Sequence, residues 1–343
     1  AGPDETQRGW DDPTVVLRLG ASPTSKRLRR YLAATDADQH VVDPTGRWRE
    51  AAFTATNLVV AEPSRLCARL SRLIGGGGGD PAWREQWLRA ERIATALHRG
   101  DPSSVTADAA VADVAADVPA DVHEGTVLRT VADAAPDPAT VFVSNSMPVR
   151  DLDRFVPPST TNLTALGNRG VSGIDGIVSS ALGAGSATTD DLTLVVGDLA
   201  LYHDSNGLLA VDRCAVDVTI VLINNDGGGI FHKLPVESFD PPFTDSFKTP
   251  HGLAFEPLST LYGLEYVRID AREAGSDTVS DTAADDDGTD DPSAALAAAY
   301  THAHETDGSH LIEVRTDAEA SQRIRERLLD AVERAVHGGD ESS

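Results

Sequence analysis

The 343-residue chain is predicted to be an α/β protein with a doubly wound, mostly parallel sheet, preceded by part of a second α/β domain. Two observations predict this fold. From residue 124 onward, helical patterns alternate with short runs of β-branched and apolar residues, which is typical of a parallel sheet covered by helices on both faces. Earlier in the chain, five consecutive glycines follow a front block that has too few elements for a complete doubly wound domain.

The front block, residues 1–74, is interpreted as the carboxyl-terminal part of a central α/β domain. Its strands are predicted at Val15–Gly20, Val41–Asp43 and Asn57–Ala61. The first strand is apolar throughout most of its length, so we expect it to be buried. A helix is predicted over Thr24–Tyr31, with Ser22 or Thr24 as its cap.

Residues 75–80 are predicted to be a Gly-rich linker between the two domains. A phosphate-binding P-loop was the alternative, but that motif requires a Lys followed by Ser or Thr, which the sequence lacks here. The second domain is therefore expected to cover residues 81–343.

Within the second domain, elements follow from the hydrophobic pattern. Helices are predicted at Trp83–Leu97, Gly125–Ala134, Gly173–Ala184, Ser205–Asp212, Ser293–His302 and Ala318–Val336. Strands are predicted at Thr140–Ser144, Leu192–Val196, Val218–Ile223, Glu265–Ile269 and His310–Val314. The acidic stretch 273–291 cannot bury a core and is expected to be a surface insertion; it lacks the ordered spacing of a Ca²⁺ loop.

The charge composition excludes two classes of function. The chain has 54 acidic and 29 basic residues, a net charge of −25, which repels nucleic acid and anionic membrane surfaces. Asp outnumbers Glu 38 to 16 and there are only three lysines, which favours a protein from a salt-loaded cell over an ordinary acidic protein. Two cysteines, no signal-peptide pattern and no long apolar run predict a cytoplasmic location.

Oxygen-bearing side chains follow two neighbouring predicted strands. Asp198 follows Gly197 at the end of one strand, and Asn225 followed by Gly227 ends the next. Because the carboxyl ends of parallel strands meet at one edge of the sheet, these groups are expected to lie together. Carboxylate, amide and backbone oxygens suit Mg²⁺ bound to a diphosphate; the alternative is that both segments are ordinary turns.

Two further segments indicate anion binding. Gly167–Gly176 is a Gly-rich loop before a predicted helix and contains Arg169, a combination suited to phosphate or carboxylate. Ser144–Arg150 follows a predicted strand and brings Ser146 and Arg150 to the same edge. The structural alternatives are a tight turn with a surface Arg and a capped helix start.

These segments together resemble a known family. The sequences SNSMPVR from Ser144, NRGVSGIDG from Asn168, GDL from Gly197 and NNDGGGIF from Asn224 look like the thiamine-diphosphate (ThDP)-dependent 2-succinyl-5-enolpyruvyl-6-hydroxy-3-cyclohexene-1-carboxylate (SEPHCHC) synthase family. The general ThDP motif begins Gly-Asp-Gly, and the Leu in its third position here points to this subgroup. PTSKR from Pro23 and VDPTGRW from Val42 resemble the central domain of that family more loosely.

The resemblance implies roles for individual residues. Asp198, Asn225 and the Gly227 carbonyl would hold Mg²⁺, or Mn²⁺, on the cofactor diphosphate. The implied cofactor contacts are Ser172, Gly173, Ile174, Gly197, Leu199, Ile230, Phe231 and Leu234, with Ile174 packed under the cofactor. The implied anchors for substrate carboxylates are Lys26, Ser146, Arg150 and Arg169.

The implied reaction belongs to menaquinone biosynthesis. 2-Oxoglutarate is decarboxylated and the resulting succinyl carbanion equivalent is added to isochorismate. The family also implies at least a homodimer and an activating Glu in a separate pyrimidine-binding domain, which nothing in this sequence resembles. The chain is therefore expected to be a carboxyl-terminal part that does not turn over alone. The alternatives are another ThDP-dependent 2-oxo acid decarboxylase or acetohydroxyacid-type synthase, and a non-catalytic diphosphate-binding module.

Overall fold

The computed structural model describes residues 10–23, 25–50, 52–75, 79–100, 122–271 and 291–337. By their internal contacts the residues form two compact units, 1–118 with 328–343 and 119–327, which are described separately. The domain boundary expected at 75–80 stays a prediction. Thr24, half of the expected linker (76–78) and nearly all of the expected acidic insertion (273–290) lie outside the described residues.

The first unit contains a three-stranded parallel sheet in the order β1–β2–β3. Its strands are β1 (Val15–Leu19), β2 (Asp38–Val42) and β3 (Asn57–Val59). Its helices are α1 (Lys26–Ala34), α2 (Pro63–Ile74) and α3 (Pro81–Arg99). Val41 and Val42 of the central strand are fully buried, as expected for a strand with a neighbour on each side.

Two expectations for this unit are corrected, and one helix was not predicted. β1 is not buried: Val15, Leu17 and Leu19 are 55%, 48% and 48% exposed, because β1 is an edge strand and these alternate residues share one exposed face. Ser25, rather than Ser22, caps α1 by accepting a hydrogen bond from the Leu28 amide. Helix α2 was not predicted, because arginines interrupt its apolar residues and it buries none of them.

The second unit contains a six-stranded sheet in the order β5–β4–β6–β7–β9–β8, and every neighbouring pair is parallel. Its strands are β4 (Ala139–Val143), β5 (Leu163–Leu166), β6 (Asp191–Gly197), β7 (Thr219–Asn224), β8 (Glu265–Asp270) and β9 (His310–Arg315). Its helices are α4 (Glu124–Ala134), α5 (Pro148–Phe155), α6 (Ile177–Gly185), α7 (Asp198–His203), α8 (Leu209–Cys214), α9 (Glu256–Tyr262) and α10 (Pro292–Glu305). The last helix, α11 (Ala318–His337), begins in this unit.

Both faces of this sheet are buried, which confirms the α/β class predicted from continuous apolar strands. Leu194 and Val196 of β6 pack in one apolar cluster with residues of α6, while Val195 between them packs in the opposite cluster with α4 and α10. Successive side chains of a strand point to opposite faces, so a strand buried on both sides must be apolar at every position.

The order of the strands locates the place where a ligand would bind. The chain runs from β4 to β5 on one side, and then returns to β6 on the other side of β4. In open parallel sheets, ligands bind beyond the carboxyl ends of the strands where the winding direction reverses. That point lies between β4 and β6.

The element boundaries differ from the predictions in a few places. Helix α6 begins at Ile177, since Gly176 in the left-handed region precedes it, instead of at Gly173. The single helix predicted over Ser205–Asp212 is a 3₁₀ turn, Ser205–Leu208, followed by α8. Strand β5 and helix α5 were not predicted. Among the described residues, no helix combines the length and apolar character needed to cross a membrane.

Candidate functional site

A cavity of about 250 Å³ lies at the carboxyl ends of β4, β6 and β7. Its walls include nine of the residues singled out from the sequence: Ser146, Ile174, Gly197, Asp198, Leu199, Asn225, Gly227, Ile230 and Phe231. Residues from four separate segments therefore meet in one place, at the reversal point of the sheet.

Asp198 is a charged group in the wall of this cavity. It is 2% exposed, and its carboxylate accepts hydrogen bonds from the Leu199 amide at 2.6 Å and from the Gly227 amide at 2.9 Å. Burial raises the pKa of Asp198 above its ordinary value, and these two amide bonds offset only part of that effect. A buried carboxylate held at both oxygens is a rigid anionic ligand, which a nearby cation would stabilise in its charged form.

The loop after β7 needs glycine for geometric reasons. Gly227 has φ +133°, and a Cβ atom there would lie 2.0 Å from the Lys248 carbonyl oxygen. A Cβ at Gly228 would lie 2.3 Å from the Phe247 carbonyl oxygen. The glycines thus permit the close backbone approach that brings the Gly227 amide against Asp198.

Asn225 carries an unsatisfied acceptor. Its Nδ2 donates to Glu124 Oε1 at 2.6 Å, whereas its Oδ1 is buried and accepts no hydrogen bond within the described part of the chain. A buried polar oxygen without a partner is unfavourable by about 1–3 kcal/mol and indicates an absent ligand. An amide oxygen near a carboxylate fits a hard divalent cation such as Mg²⁺.

The remainder of the cavity fits a diphosphate with an apolar ring system. A Cβ at Gly197 would meet nothing within 4 Å, and its φ of −81° does not require glycine, so the glycine leaves open space at the cavity wall. Ile174, Ile230 and Phe231 supply apolar surface, and Phe231 is held by an edge-to-face contact with Phe247 at 5.5 Å.

Six predicted site residues do not line the cavity. Arg169 is exposed and donates to Asn145 Oδ1 at 3.1 Å, and Asn145 does line the wall. Arg150 is half-buried and donates to the Ser146 carbonyl. The Gly173 carbonyl accepts a hydrogen bond from Asn145 Nδ2 at 2.6 Å, so this residue also adjoins the wall. The other three do not line the cavity: Ser172, Leu234 and, in the first unit, Lys26.

Cations gather around Arg150. Burial lowers the pKa of the Lys233 ammonium, and the neighbouring Arg154 and Arg150 guanidinium groups lower it further. The buried Asp151 carboxylate acts in the opposite direction and raises the pKa of Lys233, so groups of both charges surround it.

Ser172 is a second polar group without a partner. Its Oγ is buried and makes no hydrogen bond within the part of the chain that the structure describes. It lies in the Gly-rich loop before α6, next to Gly173, whose φ is +59°. Val171 in the same loop has φ +60° and is fully exposed. A β-branched residue in the left-handed region is strained, as is common at binding sites.

A buried ionic network missed by the sequence analysis borders the cavity. Arg325 of α11 donates to both oxygens of Asp151 and to Glu124 Oε2, and all three residues are at most 3% exposed. Glu124 lies in the cavity wall. One signal was present: Arg325 lies next to Ile324, on the part of α11 where the helical period places buried residues.

His251 is a second residue that was missed. Its Nε2 lies 3.2 Å from Asp198 Oδ2, and its Nδ1 accepts a hydrogen bond from the Leu253 amide. Because Nδ1 is an acceptor, a neutral ring carries its proton on Nε2, facing the Asp198 carboxylate. Nothing in the local sequence distinguished this His from the others.

The described residues contain no group of three or more His, Cys, Asp or Glu side chains that could hold a metal ion by themselves. A cation here would need the Asn225 amide oxygen and a backbone carbonyl beside the single carboxylate of Asp198. Such an incomplete set is typical of Mg²⁺ that takes its remaining ligands from phosphate oxygens and water.

Comparison with known proteins identifies relatives over nearly the whole chain. No protein-family model matches it. A curated protein from Halorubrum lacusprofundi, named 2-succinyl-5-enolpyruvyl-6-hydroxy-3-cyclohexene-1-carboxylate synthase, is 67% identical over 341 residues, 99% of this chain and 52% of the relative. Proteins of the same name from Haloquadratum walsbyi and Roseiflexus castenholzii are 52% and 39% identical, over 94% and 95% of this chain.

The chain spans about half the length of the curated relatives it matches, 52%, 52% and 50% for these three. Many of the relatives come from halophilic archaea, in agreement with the interpretation of the acidic, lysine-poor composition. Identity at this level, over nearly the whole length of the chain, establishes the family. The chain belongs to the 2-succinyl-5-enolpyruvyl-6-hydroxy-3-cyclohexene-1-carboxylate synthase family.

Proposed function

We propose that this chain is part of a ThDP-dependent synthase that decarboxylates 2-oxoglutarate and adds the succinyl unit to isochorismate, giving SEPHCHC and CO₂. The observation that carries the proposal is the pair of oxygen ligands in the cavity, the buried Asp198 carboxylate and the unpartnered Asn225 Oδ1. The relatives are named as synthases of the same product, which supports the proposed reaction.

In this proposal a divalent cation, Mg²⁺ or Mn²⁺, is held by Asp198, Asn225 and the Gly227 carbonyl. The cation would join the protein to the diphosphate of the cofactor, since few protein ligands are available and phosphate oxygens complete its shell. Gly197 and Leu199 would lie against the diphosphate, as would Ser172 and Gly173 at the loop before α6.

The apolar wall would orient the rest of the cofactor. Ile174, Ile230 and Phe231 line the cavity and would pack against the ring system, with Leu234 beyond them. When bound, ThDP supplies an electron sink for the decarboxylation of a 2-oxo acid. The contribution of these residues is to hold it in one conformation and to exclude water.

Substrate carboxylates would be held by cations and a hydroxyl. Ser146 lies in the cavity wall, and Arg150 bonds to the Ser146 carbonyl, so both belong to one short segment after β4. Arg169 is joined to the wall through Asn145. Each substrate is dianionic, and guanidinium groups bind carboxylates through paired hydrogen bonds. Lys26 is proposed as a further anchor.

The complete reaction would involve more than these residues. The relatives are about twice as long as this chain, and we expect the glutamate that activates the cofactor to come from their additional part. The 343-residue chain alone is therefore expected to bind ThDP without turnover. A cytoplasmic homo-oligomer, at least a dimer, completes the proposal.

A ligand comparison tests the proposal. Thermal unfolding of the purified chain in molar KCl is recorded with Mg²⁺ and either ThDP, NAD or ATP. Of the three ligands, only ThDP is expected to raise the unfolding temperature, because a ligand that binds only the folded state stabilises it. Equal stabilisation by NAD or ATP would instead indicate a general diphosphate-binding module. A product assay of the complete synthase with isochorismate is the second test. Formation of a product from isochorismate would distinguish this activity from that of other ThDP enzymes.

A further inference from the structure

Glu124 is a buried carboxylate in contact with one of the proposed cation ligands. It is the first residue of α4, is 1% exposed and lines the cavity. Its Oε1 accepts a hydrogen bond from Asn225 Nδ2 at 2.6 Å, although the two residues are 101 positions apart in the sequence. The contact is thus made by the tertiary fold alone.

The contact determines which way the Asn225 amide faces. A carboxylate has only acceptors, so the Asn225 side chain must present its NH₂ group to Glu124. Its Oδ1 is then on the other side of the amide, where it is buried and has no partner in the described part of the chain. If the amide were turned over, two oxygen atoms would face each other.

The carboxylate of Glu124 is itself held in place. Its Oε2 accepts from Arg325 Nη2 at 2.5 Å, and Arg325 also donates to both oxygens of Asp151. A guanidinium group has donors only, so it keeps an acceptor of Glu124 turned toward itself. With one oxygen bound to Arg325, the other is fixed against Asn225.

We infer that Glu124 is a positioning residue: it fixes the Asn225 amide so that the amide oxygen faces the bound cation. This inference rests on the proposed function and assigns a role outside the sequence segments that resemble the family. A different possibility is that the network of Glu124, Asp151 and Arg325 only stabilises the fold. The two possibilities predict different results when the hydrogen-bonding polarity between positions 124 and 225 is reversed, so that residue 124 donates instead of accepting.

Glu124→Gln reverses that polarity. Because Arg325 offers only donors, the Gln oxygen would face Arg325 and its NH₂ group would face Asn225. The Asn225 amide would then turn to accept this bond and would present its own NH₂ group to the cation. The variant Glu124→Gln/Asn225→Asp has two oxygens at position 225, so one accepts from Gln and the other is again free for the cation.

Asp151→Asn is the matched control. It removes one negative charge from the same buried arginine cluster and gives up one of the two hydrogen bonds from Arg325 to Asp151, since an amide NH₂ cannot accept. The bonds from Arg325 to Glu124 and from Asn225 to Glu124 remain possible in this variant. If charge alone governed cation binding, this variant and Glu124→Gln would behave alike. The fold of each variant is checked by its unfolding temperature without ligand.

Mn²⁺ binding in the presence of ThDP is measured by electron paramagnetic resonance in molar KCl. Glu124→Gln is expected to weaken Mn²⁺ binding by about tenfold or more, the usual effect of removing a residue that orients a metal ligand. The double variant should recover to within about threefold of the original chain, and Asp151→Asn should stay within the same range.

Three results would overturn the inference. Unchanged Mn²⁺ binding by Glu124→Gln would show that the amide is not positioned by this contact. Weakening that the double variant does not restore, or that Asp151→Asn reproduces, would show a structural or purely electrostatic role. Absence of Mn²⁺–ThDP binding by the original chain would contradict the proposed function itself. If Glu124→Gln does not fold, the double variant is compared with Asn225→Asp instead. The inference then requires that the double variant binds Mn²⁺ more tightly than Asn225→Asp, and equal or weaker binding would overturn it.

Discussion

At the scale of residues, the cavity depends on backbone positions as much as on side chains. The Gly227 amide donates to Asp198, and the neighbouring Asn225 supplies the unpartnered oxygen. Asp198 and Asn225 could be predicted from the sequence, because polar residues directly after buried strands collect at one edge of a parallel sheet. Glu124 and Arg325 could not, since they meet across 201 residues of sequence and no local pattern marks their contact.

Gly227→Ala should destabilise the chain. A Cβ there would lie 2.0 Å from the Lys248 carbonyl oxygen, at a φ of +133° that L-residues rarely adopt. We expect a loss of more than about 1 kcal/mol in the free energy of unfolding, measured in urea. Gly183→Ala is the control, because it adds a Cβ that meets nothing within 4 Å in the interior of α6. It should be stabilising by about 0.5–1 kcal/mol. Equal effects of the two substitutions would contradict this account.

At the scale of elements, the strands that are buried on both faces were predicted most accurately from the sequence. β6 and β7 were predicted to within a residue or two, because each is apolar on both faces and bounded by turn residues. β5 was missed because its four residues are exposed or half-exposed and carry no clear period. α5 was missed because it has only eight residues, beginning at Pro148, and its polar positions interrupt the apolar ones. The edge strand β1 was placed correctly but wrongly expected to be buried.

In the first unit, Glu50 binds the turn that leads to β3. Its carboxylate accepts from the Ala52 amide at 2.6 Å and the Thr54 amide at 2.8 Å, and lies 3.3 Å from Arg18 Nη2. Burial alone would raise the pKa of Glu50, but the backbone hydrogen bonds and Arg18 outweigh it and lower the pKa. A lowered pKa in the folded state stabilises the fold above the unfolded pKa, near 4.3, and this contribution is lost as the pH falls through the folded value.

Glu50→Gln should therefore remove a pH-dependent part of the stability. Its NH₂ group cannot accept the turn amides, so the free energy of unfolding at pH 7 should fall by about 1–3 kcal/mol. Stability of the original chain should decline as the pH is lowered below about 4, whereas the variant should decline less over that interval. Glu91→Gln, at an exposed position of α3, is the control. Parallel pH profiles for the original chain and the Glu50 variant would disprove this role.

At the scale of the whole molecule, the net charge of −25 has two consequences. It repels anionic polymers, and it makes folding dependent on screening. Against this net negative charge, Arg150, Arg154 and Lys233 influence one another, with the Asp151 carboxylate acting in the opposite direction on Lys233.

The stability of the chain should rise with salt. Repulsion among exposed carboxylates is screened over about 10 Å at 0.1 M salt but over about 3 Å at 1 M. Between 0.2 and 2 M KCl we expect the unfolding temperature to increase by roughly 4 °C or more, which corresponds to about 3 kcal/mol or more for a chain of 343 residues. A neutral osmolyte at the same concentration is the control. It distinguishes charge screening from the general stabilisation by solutes that are excluded from the protein surface. An unfolding temperature that is constant or decreases with KCl would contradict the salt-adapted interpretation.

The central claim is that the cavity binds ThDP through a divalent cation on Asp198 and Asn225. Calorimetric titration of the chain with ThDP in molar KCl tests it most directly, with Mg²⁺, without Mg²⁺ and with Asp198→Ala. Binding that requires Mg²⁺ and that weakens by about tenfold or more in Asp198→Ala is the predicted result. ThDP binding that is unaffected by removal of Mg²⁺ or by the substitution would contradict the claim.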